Sequence, residues 1–328
     1  MIPLPGLFCE VKAYPTIGIV LLGGISDKVE RIPLHDSAGI AYTLADENGG
    51  YVLTRLLSSH IWQGFVNGKE IDPGDTRSPF KVIRHYREKM KRDGISPQDA
   101  SFSFFSENIR ILSGSSDAAA ASFGKCILEF SDGNIDRDDL ENRLRGISES
   151  AGRSFRGGLT CTTRQNGRMV TERLLDPEDF SEYRVVGCNF SSSRNPSDNI
   201  HSNIVMDPEY GSRVETASAR VRKLRDLARE GDISGIFELA ERDTGDYHRI
   251  IERCGVTVIT GEMRRYIEFL TKLKKTMWVT YIVTGGSNVF TVVERDRTDI
   301  IVEKAGEFHF TPSVLKVAGE PVTVNRNF

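Results

Sequence analysis

Ile111-Leu112-Ser113-Gly114-Ser115-Ser116-Asp117-Ala118-Ala119-Ala120-Ala121-Ser122 is the stretch of this 328-residue sequence on which the fold turns. A strand end runs into a glycine–serine turn, and the turn feeds an alanine-rich helix expected over 117–129. The first N–H groups of a helix have no partner inside it and point the same way. Added to the positive end of the helix dipole, they make a cradle for phosphate that small side chains let a ligand approach closely. A helix capped by Ser115 or Ser116 with nothing bound fits the motif too, and taken alone the motif favours that plainer reading. No lysine follows Gly114, so this is not a Walker A loop.

Working outward, buried-strand patterns cover 17–22, 39–44 and 51–57 on the N-terminal side. Residues 71–75, Ile-Asp-Pro-Gly-Asp, make a turn in which Pro73 presets φ and Gly74 supplies freedom after it. A charged amphipathic helix is expected over 80–91. Beyond the central motif come a helix over 137–149, strands over 159–163 and 183–190, and a polar loop over 191–197. Helices follow over about 213–230, 232–243 and 261–274, then an antiparallel pair at 278–283 and 289–293. With no regular βαβ alternation, the order argues for α+β rather than a doubly wound sheet. The length suits two lobes, divided here as 1–175 and 176–328.

Composition narrows the function. Lys and Arg total 43 against 46 Asp and Glu, a net charge of −3, which rules out nucleic-acid binding driven by bulk basicity. The longest apolar run, 17–25, is broken by Gly18, Gly23 and Gly24 and falls far short of the roughly 20 residues that cross a bilayer. Residues 1–25 show no basic region followed by a small-residue cleavage site, so no export signal is expected. Cys9, Cys126, Cys161, Cys188 and Cys254 form no C-x-x-C pair, which suits reduced thiols in a cytoplasmic protein. No histidine stands at metal-ligand spacing from another ligand type, so no transition metal is expected.

Three further segments can carry chemistry. In Ser148-Glu149-Ser150-Ala151-Gly152-Arg153-Ser154, read as a helix end, the planar fork of Arg153 suits a carboxylate ligand. A surface ion pair between Glu149 and Arg153 at i, i+4 is the plainer account. In Tyr281-Ile282-Val283-Thr284-Gly285-Gly286-Ser287-Asn288, two glycines let backbone approach a ligand, or simply turn a hairpin. Arg194-Asn195-Pro196-Ser197-Asp198, with His201 nearby, is a polar loop that could equally be solvated.

Taken together and in order, these segments resemble the GHMP kinase superfamily, and within it the diphosphomevalonate decarboxylase branch. Residues 113–122 match its phosphate loop, 148–154 its Ser-Gly-Ser-Ala-Cys-Arg-Ser element, and 284–288 its Asp-Ala-Gly-Pro-Asn element. The stretch Ala13-Tyr14-Pro15-Thr16-Ile17-Gly18 lies where the branch places its first strand. The resemblance implies an α+β, two-lobed GHMP kinase fold, with an N-terminal lobe like ribosomal protein S5 domain 2 and a ferredoxin-like C-terminal lobe. The departures matter most. In the decarboxylases a lysine stands at the position of Leu21 and the catalytic aspartate at that of Thr284, whereas leucine, glutamate and threonine at the positions of Leu21, Glu149 and Thr284 are similar to the mevalonate 3-kinase family.

That resemblance implies ATP-dependent phosphorylation of the 3-hydroxyl of mevalonate in a modified archaeal mevalonate pathway. ATP and Mg²⁺ are the implied cofactors, mevalonate the small-molecule partner, and a homodimer the implied assembly. Ser113, Gly114, Ser115, Ser116 and Asp117 would hold the ATP phosphates, with Ser116 helping to place Mg²⁺. Arg153 would take the mevalonate carboxylate and Glu149 the 5-hydroxyl side, with Arg194 paired to Glu149 or to developing phosphate charge. Thr284 would touch the 3-hydroxyl and Leu21 would form an apolar wall, with Tyr14, Ser113, Ser197 and His201 nearby. Residues 59–64 lie in roughly the right part of the chain for adenine. If Glu149 faces the pocket, a substrate 5-diphosphate would meet like charge costing roughly 4 kcal/mol at 4 Å. Phosphoryl transfer passes through a loose transition state, so loss of the aspartate suits a kinase. Two competitors lose on particular residues. A decarboxylase of phosphorylated mevalonate would want the aspartate that Thr284 replaces. A GHMP-fold protein that only binds would not need to keep the intact glycine–serine loop.

Overall fold

The computed structural model describes residues 7–90, 101–190, 197–308 and 310–328. The chain opens with β1 (Phe8–Ala13), β2 (Thr16–Val20), β3 (Ser37–Leu44) and β4 (Tyr51–Ser59). Then come β5 (Gln63–Val66), β6 (Lys69–Glu70), α1 (Phe80–Tyr86) and β7 (Ser101–Ile109). Three helices follow, α2 (Ser115–Phe130), α3 (Arg137–Leu144) and α4 (Ala151–Arg156), then β8 (Leu159–Gln165), β9 (Arg168–Leu175) and β10 (Tyr183–Asn189). The helical stretch is α5 (Ser197–Ile204), α6 (Tyr210–Glu230), α7 (Ile233–Arg253) and α8 (Gly261–Leu273). The chain ends with β11 (Thr280–Val283), β12 (Asn288–Glu294), α9 (Thr298–Glu307), β13 (Ser313–Val317) and β14 (Val322–Asn327).

Two sheets result, six strands in the order β14-β1-β4-β7-β5-β6 and eight in the order β11-β12-β10-β13-β3-β8-β9 with β2 paired to β3. All pairings are antiparallel except β5 with β7, which makes the fold α+β. The last strands return to the start of the chain: β14 pairs with β1 and β13 with β3. Each sheet therefore draws strands from both sides of residue 175.

Alternation builds the first sheet's inner face from Cys9, Val11, Ala13, Val52, Leu56, Phe102 and Phe104, all buried. Helix α2 lies on this face, with Phe104 and Phe102 meeting Phe123 and Phe130 edge-on at centroid distances of 5.4 and 5.6 Å. Small residues let neighbours come close to α2: a Cβ on Gly124 would stand 2.3 Å from Leu144 Cδ1. In the second sheet, Ile17, Ile19 and Ile40 share a core with Val221, Leu224, Ile236 and Phe237 of α6 and α7.

Several boundaries differ from the sequence reading. Helix α3 stops at Leu144 rather than 149, so residues 148–150 are the approach to α4 and not a helix end. Helix α7 runs to Arg253 rather than 243, because Asp243, Thr244 and His248 are polar yet buried on its core side and break the apolar period. Ser197 and Asp198 open a helix instead of lying in a loop. The rest of that loop, with Arg194, lies outside the described residues, as do Lys91 and His309.

The contact between Leu144 and Gly124 gives a stability prediction. Leu144→Ala should cost about 2–5 kcal/mol, read as a lower urea midpoint with an unchanged m-value. A loss below 1 kcal/mol would show that α3 is not seated on α2.

Candidate active site

The glycine–serine turn is fixed from two sides. Gly114 has φ of 74°, and a Cβ there would stand 2.9 Å from the Thr16 nitrogen and 3.0 Å from its oxygen. Both the conformation and the space thus call for glycine. Tyr42 reaches over from β3: its hydroxyl donates to the Ser113 carbonyl at 2.7 Å and accepts from the Ser113 N–H at 3.0 Å. No side chain caps α2, so its first N–H groups keep their capacity for a ligand. Asp117 turns its buried carboxylate to hydroxyls, accepting from Thr16 Oγ1 at 2.5 Å, Ser148 Oγ at 2.6 Å and Ser150 Oγ at 3.0 Å.

Two cavities flank this turn. One, of about 240 Å³, is lined by Leu21, Ser113, Gly114, Asp117, Glu149, Arg153, Ser197, His201, Tyr247 and Thr284. The other, of about 260 Å³, is lined by Ser115 and Ser116 together with Val66, Ile71, Pro79, Phe104 and Phe123. The α2 N-terminus stands between them. Residues 59–64 line neither, and the mostly apolar wall of the second comes instead from β4, β5, β7 and the segment before α1. Tyr14 lines neither; its carbonyl accepts from Ser154 Oγ at 2.5 Å, beside Arg153.

Glu149 is deeply buried, and both of its carboxylate oxygens are engaged. Arg31 Nε donates to its Oε2 at 2.9 Å, and Arg31 Nη2 also bridges to Asp198 at 2.7 Å. His201 closes the other side. The Gly24 N–H donates to His201 Nδ1 at 3.1 Å, so Nδ1 accepts and Nε2–H is left to donate to Glu149 Oε1 at 3.0 Å. Burial alone would raise the Glu149 pKa; the hydrogen bond from His201 and the charge of Arg31 outweigh it and hold the carboxyl well below the usual carboxylate range. The described partners are Arg31 and His201; Arg194, expected to pair with Glu149 or with developing phosphate charge, lies outside the described residues. Arg31 was missed because nothing local marks it: it sits in the 26–33 loop and meets Glu149 across 118 positions of sequence.

Arg153 is the opposite case. It is 5% exposed and lines the first cavity, yet its Nε and Nη2 have no hydrogen-bond partner among the described residues. Burial pulls its pKa down while Asp117 and Glu149 push it back up. A buried guanidinium with idle donors is costly unless something anionic completes it. Gly39 makes room for it, since a Cβ there would stand 3.0 Å from Arg153 Cδ.

An uncapped helix start beside a cavity with one idle guanidinium suits phosphoryl chemistry on an anionic ligand, and the fold around it is that of the GHMP class of kinases and decarboxylases. A family model described as the diphosphomevalonate decarboxylase-like N-terminal domain matches residues 13–171, and one described as the mevalonate-3-kinase C-terminal domain matches residues 195–299. The chain is 42% identical over 319 residues to mevalonate-3-kinase of Picrophilus torridus, covering 97% of this chain and 98% of that one. It is 43% identical over 308 residues to mevalonate 3-kinase of Thermoplasma acidophilum, covering 94% and 95%. The crystal structure of the Thermoplasma acidophilum mevalonate-3-kinase with mevalonate 3-phosphate and ADP bound superposes with a TM-score of 0.91 at 39% identity, covering 98% of this chain and 100% of that one. The chain belongs to the mevalonate-3-kinase family.

Buried histidines beside the site give a pH prediction. His35 donates from Nδ1 to the Asp36 carbonyl at 2.6 Å and accepts at Nε2 from the Gly23 N–H at 3.1 Å. Burial pushes His35 down to about 4, and His248 likewise. A histidine held below its unfolded value of about 6.5 stabilises the fold fully above that value and loses the contribution as pH falls towards the folded pKa. Unfolding free energy should therefore drop between about pH 6.5 and 4, and His35→Asn should flatten that slope in urea titrations. A pH-independent parent chain would contradict the neutral, buried rings.

Proposed function

We propose that this chain transfers the γ-phosphoryl group of ATP to the 3-hydroxyl of mevalonate, releasing mevalonate 3-phosphate and ADP. The observation that carries the reading is the idle Arg153 in a cavity shared with Leu21, Glu149 and Thr284, beside an uncapped α2 N-terminus. Arg153 takes the mevalonate carboxylate as a bidentate pair. The N–H groups at the start of α2, with Ser115 and Ser116, take the phosphates, and the apolar second cavity accommodates adenine. Mg²⁺ bound there would neutralise phosphate charge; Ser116 and Asp117 are the groups to hold it, and few protein ligands suit an ion that keeps waters and phosphate oxygens.

At the other end of the substrate, Glu149 with His201 and Arg31 meets the uncharged 5-hydroxyl, and Leu21 walls the cavity without offering a cation. Thr284 lies by the 3-hydroxyl, while Arg194 acts on developing phosphate charge. Positioning and charge neutralisation carry this chemistry more than a strong base does. The reading also places the protein in the cytoplasm as a homodimer. Five unpaired cysteines support the first. Phe105, 43% exposed on the outer side of the six-stranded sheet and stacked on Phe65, supports the second.

Incubation with ATP, Mg²⁺ and mevalonate should yield a phosphate on a carbon that bears no hydrogen, so its phosphorus signal shows no three-bond coupling to a CH₂. A triplet would place the phosphate on C5, and release of CO₂ would indicate a decarboxylase; either sinks the reading. Arg153→Met should lower kcat/KM for mevalonate roughly 10- to 100-fold, the worth of a charge-assisted hydrogen bond. Glu149→Gln should weaken mevalonate binding and relax exclusion of mevalonate 5-phosphate.

A further inference from the structure

We infer that helix α7 is the positioning element of the acceptor cavity, acting through one row of buried polar side chains, Asp243, Thr244, Tyr247 and His248, on the main chain that carries Leu21 and Thr284. The inference rests on the reaction proposed above and adds residues that do not touch substrate through their reactive groups but hold those that do.

Positions i, i+1, i+4 and i+5 of a helix share one face, and here that face crosses the ends of β2 and β11. The Leu21 N–H donates to Asp243 Oδ2 at 2.7 Å. Arg213 closes a ring by donating to Asp243 Oδ1 at 2.6 Å and to the Leu21 carbonyl at 2.6 Å, and Arg220 donates to Asp243 Oδ1 at 2.8 Å. The Tyr247 hydroxyl donates to the Leu22 carbonyl at 3.2 Å. On the other strand, the Val283 N–H donates to Thr244 Oγ1 at 3.4 Å, and His248 Nε2–H donates to the Val283 carbonyl at 2.9 Å. A carbonyl only accepts, so Nε2 carries the proton, and Nδ1 has no partner among the described residues.

Packing does not explain this row. All four side chains are at most 3% exposed, on the side of α7 that otherwise presents Ile236, Leu239, Ala240, Ile250 and Ile251 to the core. Apolar residues there would seat the helix equally well without the cost of burying polar groups. What the row supplies is registration. It grips the residue that walls the cavity on one strand and the residue before Thr284 on the other, and both grips come from one rigid helix. The separation of the wall from the 3-hydroxyl side is then set by spacing along α7. A displacement of the order of 1 Å can cost up to about 100-fold in rate.

The test uses the full chain. His248→Phe keeps a ring but removes the donor, Thr244→Val removes a hydroxyl at constant shape, and His248→Gln restores an N–H able to reach the Val283 carbonyl. The expected result is a fall in kcat on mevalonate of about tenfold for His248→Phe, a smaller fall for Thr244→Val, KM for ATP within about twofold of the parent, and recovery in His248→Gln. Amide hydrogen exchange should speed up at residues 283–286 in His248→Phe while residues 115–118 stay as in the parent. Three results would overturn the positioning role: unchanged kcat in both folded variants, a rise in KM for ATP that accounts for the loss, or no recovery with glutamine. If the parent chain itself leaves mevalonate unphosphorylated, the proposed reaction fails, and the exchange pattern alone then decides whether the row holds the strand ends.

Discussion

A carboxylate can be buried only if charge and hydrogen bonds come to meet it, and the surroundings of Glu149 are arranged around that requirement. Its partners arrive from the 26–33 loop, as Arg31, and from α5, as His201, while the backbone of Glu149 itself leads into α4. Three segments far apart in sequence are thereby tied at the rim of one cavity. Removing one member of such a buried set typically costs about 3–5 kcal/mol, because the other is left charged and dry. The same network brings in Gly24 through the second nitrogen of His201, so Glu149 and the segment that follows Leu21 are coupled.

The pairing also changes the account of selectivity. A lone Glu149 would repel a substrate phosphate by several kcal/mol at contact. Here Glu149, Asp198 and Arg31 form a set with a net charge of −1, so the repulsion is weaker than the bare figure. On the proposed reading, discrimination rests on two terms: a residual negative field and the absence of a compensating cation where Leu21 stands. A phosphorylated competitor would have to shed water without gaining a partner, and that desolvation penalty is asymmetric in the way that unmatched polar groups are.

The parts of the molecule legible in the sequence are those whose signal is local. Gly114 between serines, followed by alanines, announces a close-approach turn and a helix start, and the structure has both. Leu21, Glu149 and Thr284 carry no local signal of belonging together; the resemblance of ordered segments linked them, and the fold places all three on one cavity. Arg31 and Arg213 could not be read, since each acts on a group more than a hundred residues away in sequence. The end of α7 was misjudged for a related reason: hydrophobic periodicity treats a buried Asp243 or His248 as a solvent-facing residue, and so stops counting where the functional row begins. Strands β9, β13 and β14 escaped because mixed-polarity strands owe their pairing to neighbours rather than to their own composition.

The two ends of the site solve their electrostatic problems with different materials. On the proposed reading, the fold offers the phosphates backbone N–H groups at an uncapped helix start, a diffuse positive field that is not matched to any one phosphate oxygen. For the acceptor, it offers localised charges: Arg153 left open, Glu149 closed by Arg31 and His201. Asp117 lies at the junction, in the first turn of α2; its carboxylate is shared among Thr16, Ser148 and Ser150 rather than paired with a guanidinium at contact. Three neutral donors stabilise the charge without cancelling it. An uncancelled carboxylate repels a polyphosphate beside it unless a cation stands between them, so the proposed reading calls for a metal-bridged nucleotide at Asp117 rather than a bare one.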